Sequence, residues 1–125
     1  MSEAPRAVVA GHGSFAAGVI SAVQQIAGLG DRFVPVSNTG LTPAALDDAL
    51  RAALAGSGAR IIFTDLPAGS CTMAACRLAR SDPGLVVVTG VALPTLLTFA
   101  CGAALPEAVD RGREAMKLIE AARGA

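Results

Sequence analysis

The 125-residue sequence has no tryptophan and no tyrosine, four phenylalanines, three cysteines and a single histidine. Each scarcity removes a class of function. Without aromatic platforms, and with ten basic residues balanced by ten acidic ones, the chain offers neither a base-stacking surface nor a basic groove, so no nucleic acid is expected as partner. Cys71, Cys76 and Cys101 are odd in number and lack paired CxxC spacing. That argues against a disulfide framework and a structural zinc site, and the three thiols read as small hydrophobes packed on helices in a reducing, cytoplasmic protein. No apolar run is long enough to cross a bilayer, and the start of the chain, through Arg6, lacks the basic opening and long apolar core of a signal peptide. Charged residues make up only 16% against 53% hydrophobic ones, so part of the surface must be mildly apolar or covered by a second copy. Self-association is expected.

What is present is a regular alternation. Apolar runs of strand length give way to longer segments of helical period, and Gly, Pro, Asn, Asp or Thr marks each change. Strands are predicted at Arg6–Ala10, Arg32–Ser37, Ala59–Thr64 and Leu85–Thr89. Helices are predicted from Ser14 to Ala27, from Pro43 to Leu54 with Gly56 to Gly58 ending it, from Cys71 to Arg80, from Pro94 to about Cys101, and from Pro106 to Ala122. On the first helix Phe15, Val19, Ala22, Val23 and Ile26 share one face. A βα repeat of this kind, with right-handed crossovers, predicts one α/β domain over residues 1–125. It would be doubly wound, with a parallel four-stranded sheet in the order 2-1-3-4.

The single histidine stands in Ala10-Gly11-His12-Gly13-Ser14, where the first strand meets the first helix. Open α/β sheets bind ligands at the carboxyl ends of their strands, so His12 should face a cleft. Asp65 stands at the end of the third strand, which the 2-1-3-4 order makes a neighbour of the first. A carboxylate holding one ring nitrogen fixes the imidazole tautomer and leaves the other nitrogen free to attack. Phosphoryl transfer needs little beyond such positioning and charge stabilisation. Gly13, Ser14, Gly69, Ser70 and Thr72 flank two helix N-termini whose amides, with added hydroxyls, would hold phosphoryl oxygens. Blander readings stand beside these: Asp65 as a turn former, Ser70 and Thr72 as helix caps.

Taken together, Gly11-His12-Gly13-Ser14, Asp65-Leu66-Pro67-Ala68-Gly69-Ser70 and Gly90-Val91-Ala92-Leu93-Pro94 resemble the IIA components of the mannose-type sugar phosphotransferase system. The resemblance implies that His12 accepts a phosphoryl group from phospho-HPr and passes it to a IIB component, with Asp65 assisting. It implies a cytoplasmic homodimer that meets the membrane only indirectly, through the IIC/IID transporter, and that needs no metal and no organic cofactor. Some members exchange an additional edge strand between subunits. The loop after the third strand departs from the two glycines and Ser-Pro common in the family, since Cys71 and Thr72 follow Ala68-Gly69-Ser70 here, and the sugar is left open. Three rivals are similar in part: the phosphoryl donor subunit of dihydroxyacetone kinase, a phosphorylation sensor of the same fold, and tetrapyrrole metal chelatases. The last would need more ligands than one histidine supplies.

Overall fold

The computed structural model describes residues 6–121. Four strands, β1 (Ala7–Gly11), β2 (Phe33–Ser37), β3 (Ile61–Thr64) and β4 (Val86–Val88), form one sheet in the order β2-β1-β3-β4, and every pairing is parallel. Helices α1 (Phe15–Ala27), α2 (Pro43–Ser57), α3 (Ser70–Ser81), α4 (Leu93–Ala100) and α5 (Leu105–Ala115) connect and cover them. The predicted α/β fold and strand order are those observed.

Strand β1 is buried along its whole length, and its side chains alternate between two cores as strand geometry requires. Val8 and Ala10 join Val36, Leu46, Leu50, Ile62 and Leu78, contributed by the sheet and by α2 and α3. Ala7 and Val9 face the other way, toward Val23 of α1, Leu96 of α4 and Ala108 of α5. Three of the four phenylalanines, Phe33, Phe63 and Phe99, meet in this second core with ring centroids 5.5–6.4 Å apart. Each buried side chain of that size stabilises the fold by about 1.5–3 kcal/mol. The two cores leave the carboxyl ends of β1 and β3 adjacent and uncovered.

Several expectations are corrected. The last helix does not continue to Ala122, which lies outside the described residues. It stops at Ala115, and residues 116–120 are not helical. Met116, Leu118 and Ile119 are 90%, 89% and 72% exposed, so no surface lies beneath a further turn, and packing of an apolar face is what sustains most helices. On α1 the predicted face holds at Phe15, Val19 and Val23, which pack into the second core with Ala16 and Ile20, and it fails only at Ile26, which is exposed. Helix α2 runs through Gly56 and ends at Gly58, whose N–H returns to Leu54 O at 2.8 Å. Of the cysteines only Cys71 is buried, since Cys76 and Cys101 lie on outward surfaces. Among the described residues the sheet has no fifth strand, and no helix is long and apolar enough to cross a membrane.

Candidate functional site

The pairing of β1 with β3 places the loops after both strands side by side. His12 leaves the end of β1 with its side chain 48% exposed, and Asp65 leaves β3 with its side chain only 11% exposed. Asp65 Oδ2 accepts the His12 backbone N–H at 2.8 Å and also lies 2.8 Å from His12 Nδ1. A carboxylate can only accept, so in the neutral ring it is Nδ1 that carries the proton and Nε2 that has the lone pair. Asp65 Oδ1 is buried and makes no hydrogen bond among the described residues. Burial alone would raise the Asp65 carboxyl, but the hydrogen bonds from the His12 main chain and ring and the ring's charge outweigh it. The group is held below the ordinary carboxylate range.

The glycines around His12 have separate reasons. A Cβ on Gly11 would stand 2.7 Å from Phe15 Cδ2 and 3.1 Å from Asp65 Oδ2, so a side chain there would invade the pair itself. Gly13 sits at φ +55°, in the left-handed region that side chains disfavour. Its carbonyl accepts the Ser37 hydroxyl at 2.8 Å.

Gly69, immediately before α3, faces the ring: its missing Cβ would lie 3.4 Å from His12 Cε1, the carbon between the two ring nitrogens. The start of α3 therefore lies beside the imidazole ring. Its first intrahelical bond runs from Met73 N–H to Gly69 O, which leaves the amides of Ser70, Cys71 and Thr72 without helical acceptors. Neither Ser70 nor Thr72 caps the helix with its side chain. Thr72 departs further from expectation, because its hydroxyl is buried, contacts Thr64 Oγ1 at 2.7 Å and donates to Leu66 O at 2.5 Å. It ties down the loop between β3 and α3, and only its amide remains for the cleft. Ser14 is exposed and makes no capping bond. Phe15 N–H turns back to His12 O at 3.1 Å, so α1 has fewer amides to offer than α3. Val91 N–H bonds Thr64 O at 2.9 Å, which secures the Gly90–Pro94 segment beside β3.

Residues 37–39, the end of the predicted second strand and two residues given no role from sequence, border the same site. Asn38 Nδ2 lies 2.9 Å from Ser70 Oγ, and beyond the pair opens a cavity of about 390 Å³ lined by Leu41, Pro43, Leu46, Met73 and Arg77. The signal was available, since β2 neighbours β1, ends at Ser37 and is followed by Asn38 and Thr39. Among the described residues, no three His, Cys, Asp or Glu side chains gather as a metal cluster.

Comparison with known proteins gives a consistent picture. The family model described as PTS system fructose IIA component matches residues 6–116. No curated protein matches the sequence. Among solved structures, the mannose/sorbose-specific IIA subunit of the phosphotransferase system from Enterococcus faecalis superposes with a TM-score of 0.81 at 21% identity. That match covers 94% of this chain and 96% of the other. The PTS IIA protein associated with the fucose utilization operon of Streptococcus pneumoniae gives 0.80 at 21% identity, covering 99% and 98%. Phosphotransferase system component EIIA from Streptococcus agalactiae gives 0.77 at 19%, covering 94% and 98%.

Proposed function

The chain belongs to the PTS system fructose IIA component family, the phosphocarriers of sugar phosphotransferase systems, and on that premise we propose that His12 is the residue that carries the phosphoryl group. The observation that carries this reading is the bond between His12 Nδ1 and Asp65 Oδ2 at 2.8 Å, which leaves Nε2 unprotonated on a half-exposed ring. The lone pair of Nε2 attacks the phosphorus of phospho-HPr. As the new N–P bond forms, the N–P bond to the donor histidine breaks and its electron pair returns to the donor ring. The phosphorylated ring gains positive charge, which the Asp65 carboxylate stabilises. Amides at Gly13 and Ser14 and at Gly69, Ser70 and Thr72, with the Ser14 and Ser70 hydroxyls, steady the phosphoryl oxygens. The reverse exchange passes the group to a IIB component, so that the membrane is reached only through the IIC/IID transporter. No metal or organic cofactor enters the step.

Residues 1–125 are read as one such IIA domain, acting in the cytoplasm as a homodimer. The exposed Met116, Leu118 and Ile119 and the exposed Val86 on the edge strand β4 support the homodimer, because apolar groups of this size cluster where a second chain covers them. A solution mass of two chains by light scattering is the expected result, and one chain would count against it. The central test is intact mass after incubation with phosphoenolpyruvate, enzyme I and HPr. One acid-labile phosphate is expected on the wild type and none on His12→Ala. An unmodified wild type in the presence of active HPr would overturn the assignment.

A further inference from the structure

We propose that Asn38 is a positioning residue for the phosphoryl transfer, acting through the hydroxyl of Ser70; this rests on the reading of His12 as the phosphoryl carrier. Asn38 is bound tightly to the strand that bears His12. Its N–H donates to Gly11 O at 3.2 Å, one step past the end of the β1–β2 ladder, and its own carbonyl accepts Leu41 N–H at 3.1 Å to close a turn. Ser37, beside it, donates to Gly13 O at 2.8 Å and accepts Thr39 N–H at 3.1 Å. The loop after β2 is thus locked to the residues on both sides of His12. From this anchored main chain the Asn38 amide reaches across to α3 and donates to Ser70 Oγ at 2.9 Å.

The polarity of that bond matters. A hydroxyl has one proton, and an oxygen already accepting from an amide has that proton left to give elsewhere. Within its own helix the Ser70 hydroxyl has only the Cys71 sulfur as partner, a weak acceptor that a charged phosphoryl oxygen outcompetes. Gly69, one residue earlier, lies against His12 Cε1, which sets Ser70 beside the ring that would carry the phosphoryl group. A donor held in place before the charge arrives needs no reorganisation during transfer. Asn38 supplies this preorganisation for Ser70 without touching the phosphoryl group.

Asn38→Asp reverses the bond with little change of shape, because an aspartate can only accept and draws the Ser70 proton away from the cleft. The experiment is a double-mutant cycle in single-turnover and steady-state transfer from phospho-HPr, using Asn38→Asp, Ser70→Ala and the pair. Each single variant is expected to lower kcat by about tenfold or more while KM for phospho-HPr stays within about twofold. The double variant should be no slower than the worse single, and Ser70→Thr, which keeps the hydroxyl, should restore most of the rate. Three results would overturn the proposal: Asn38→Asp transferring at the wild-type rate, a loss confined to KM, or losses that multiply in the double variant, as direct repulsion of the phosphoryl group by the new carboxylate would give. Failure of the wild type to become phosphorylated overturns the parent reading and this one with it. Phosphorylation of wild-type His12 together with multiplying losses removes this one alone.

Discussion

The two ends of the parallel sheet each bring a basic side chain to an aspartate, and they handle the pair in opposite ways. At the amino end Arg60 pairs with Asp82 at the rim of a cavity of about 330 Å³, with the two side chains 50% and 41% exposed. The Arg60 hydrogen bond holds the Asp82 carboxyl below its ordinary range, and water screens what remains. At the carboxyl end Asp65 is withdrawn from water, gives a single oxygen twice to His12, and leaves the other oxygen buried without a partner. The two ends thus differ in burial: a screened pair stands at the amino end and a carboxylate withdrawn from water beside a half-exposed imidazole at the carboxyl end.

The comparison breaks most decisively if Asp65→Asn leaves transfer intact. The amide cannot stabilise a positive ring, so transfer from phospho-HPr should fall by about a hundredfold or more, with far-UV circular dichroism unchanged. A rate within threefold of wild type would make the two ends equivalent. Next in size is Gly11→Ala, whose new methyl collides with Phe15 and presses on Asp65. Overpacking of this kind should lower stability by about 1–3 kcal/mol in urea titration, and transfer should fall with it.

The pH dependence sharpens the contrast further. The folded Asp65 carboxyl is held below its unfolded value of about 3.9, so its contribution to stability is complete above that value and is lost as pH falls through the lower, folded one. The urea midpoint difference between wild type and Asp65→Asn should therefore be present at pH 5 and shrink toward pH 3. A difference that persists unchanged at pH 3 would contradict the clamp. The smallest effect is expected at the opposite end, where Arg60→Ala should leave the transfer rate at its wild-type level, measured in the same assay.

Much of this arrangement was legible in the residues themselves. Apolar runs such as Ile61-Ile62-Phe63 and their polar stops revealed the strand order, and that order alone brought His12 and Asp65 to one crevice. What escaped depended on tertiary partners. The end of α5 and the exposure of Ile26 were set by where neighbouring surfaces stop, which helical period does not encode. Thr72 was turned inward by Leu66 O and Thr64, a choice between two nearby acceptors that composition leaves open. Asn38 carried the ordinary signature of a turn residue, and its reach to Ser70 exists only because α3 begins beside the end of β2.

The double grip of Asp65 Oδ2 on the main chain and the ring of His12 also bears on traffic. An imidazole fastened at both places cannot pivot to greet one visitor on the left and another on the right. On the reading of His12 as the phosphoryl carrier, whatever delivers the group and whatever collects it come through one doorway, each waiting until the other has gone. The two clients are thus competitors for a single berth, and an excess of the collector in its empty form should slow delivery as surely as it speeds removal.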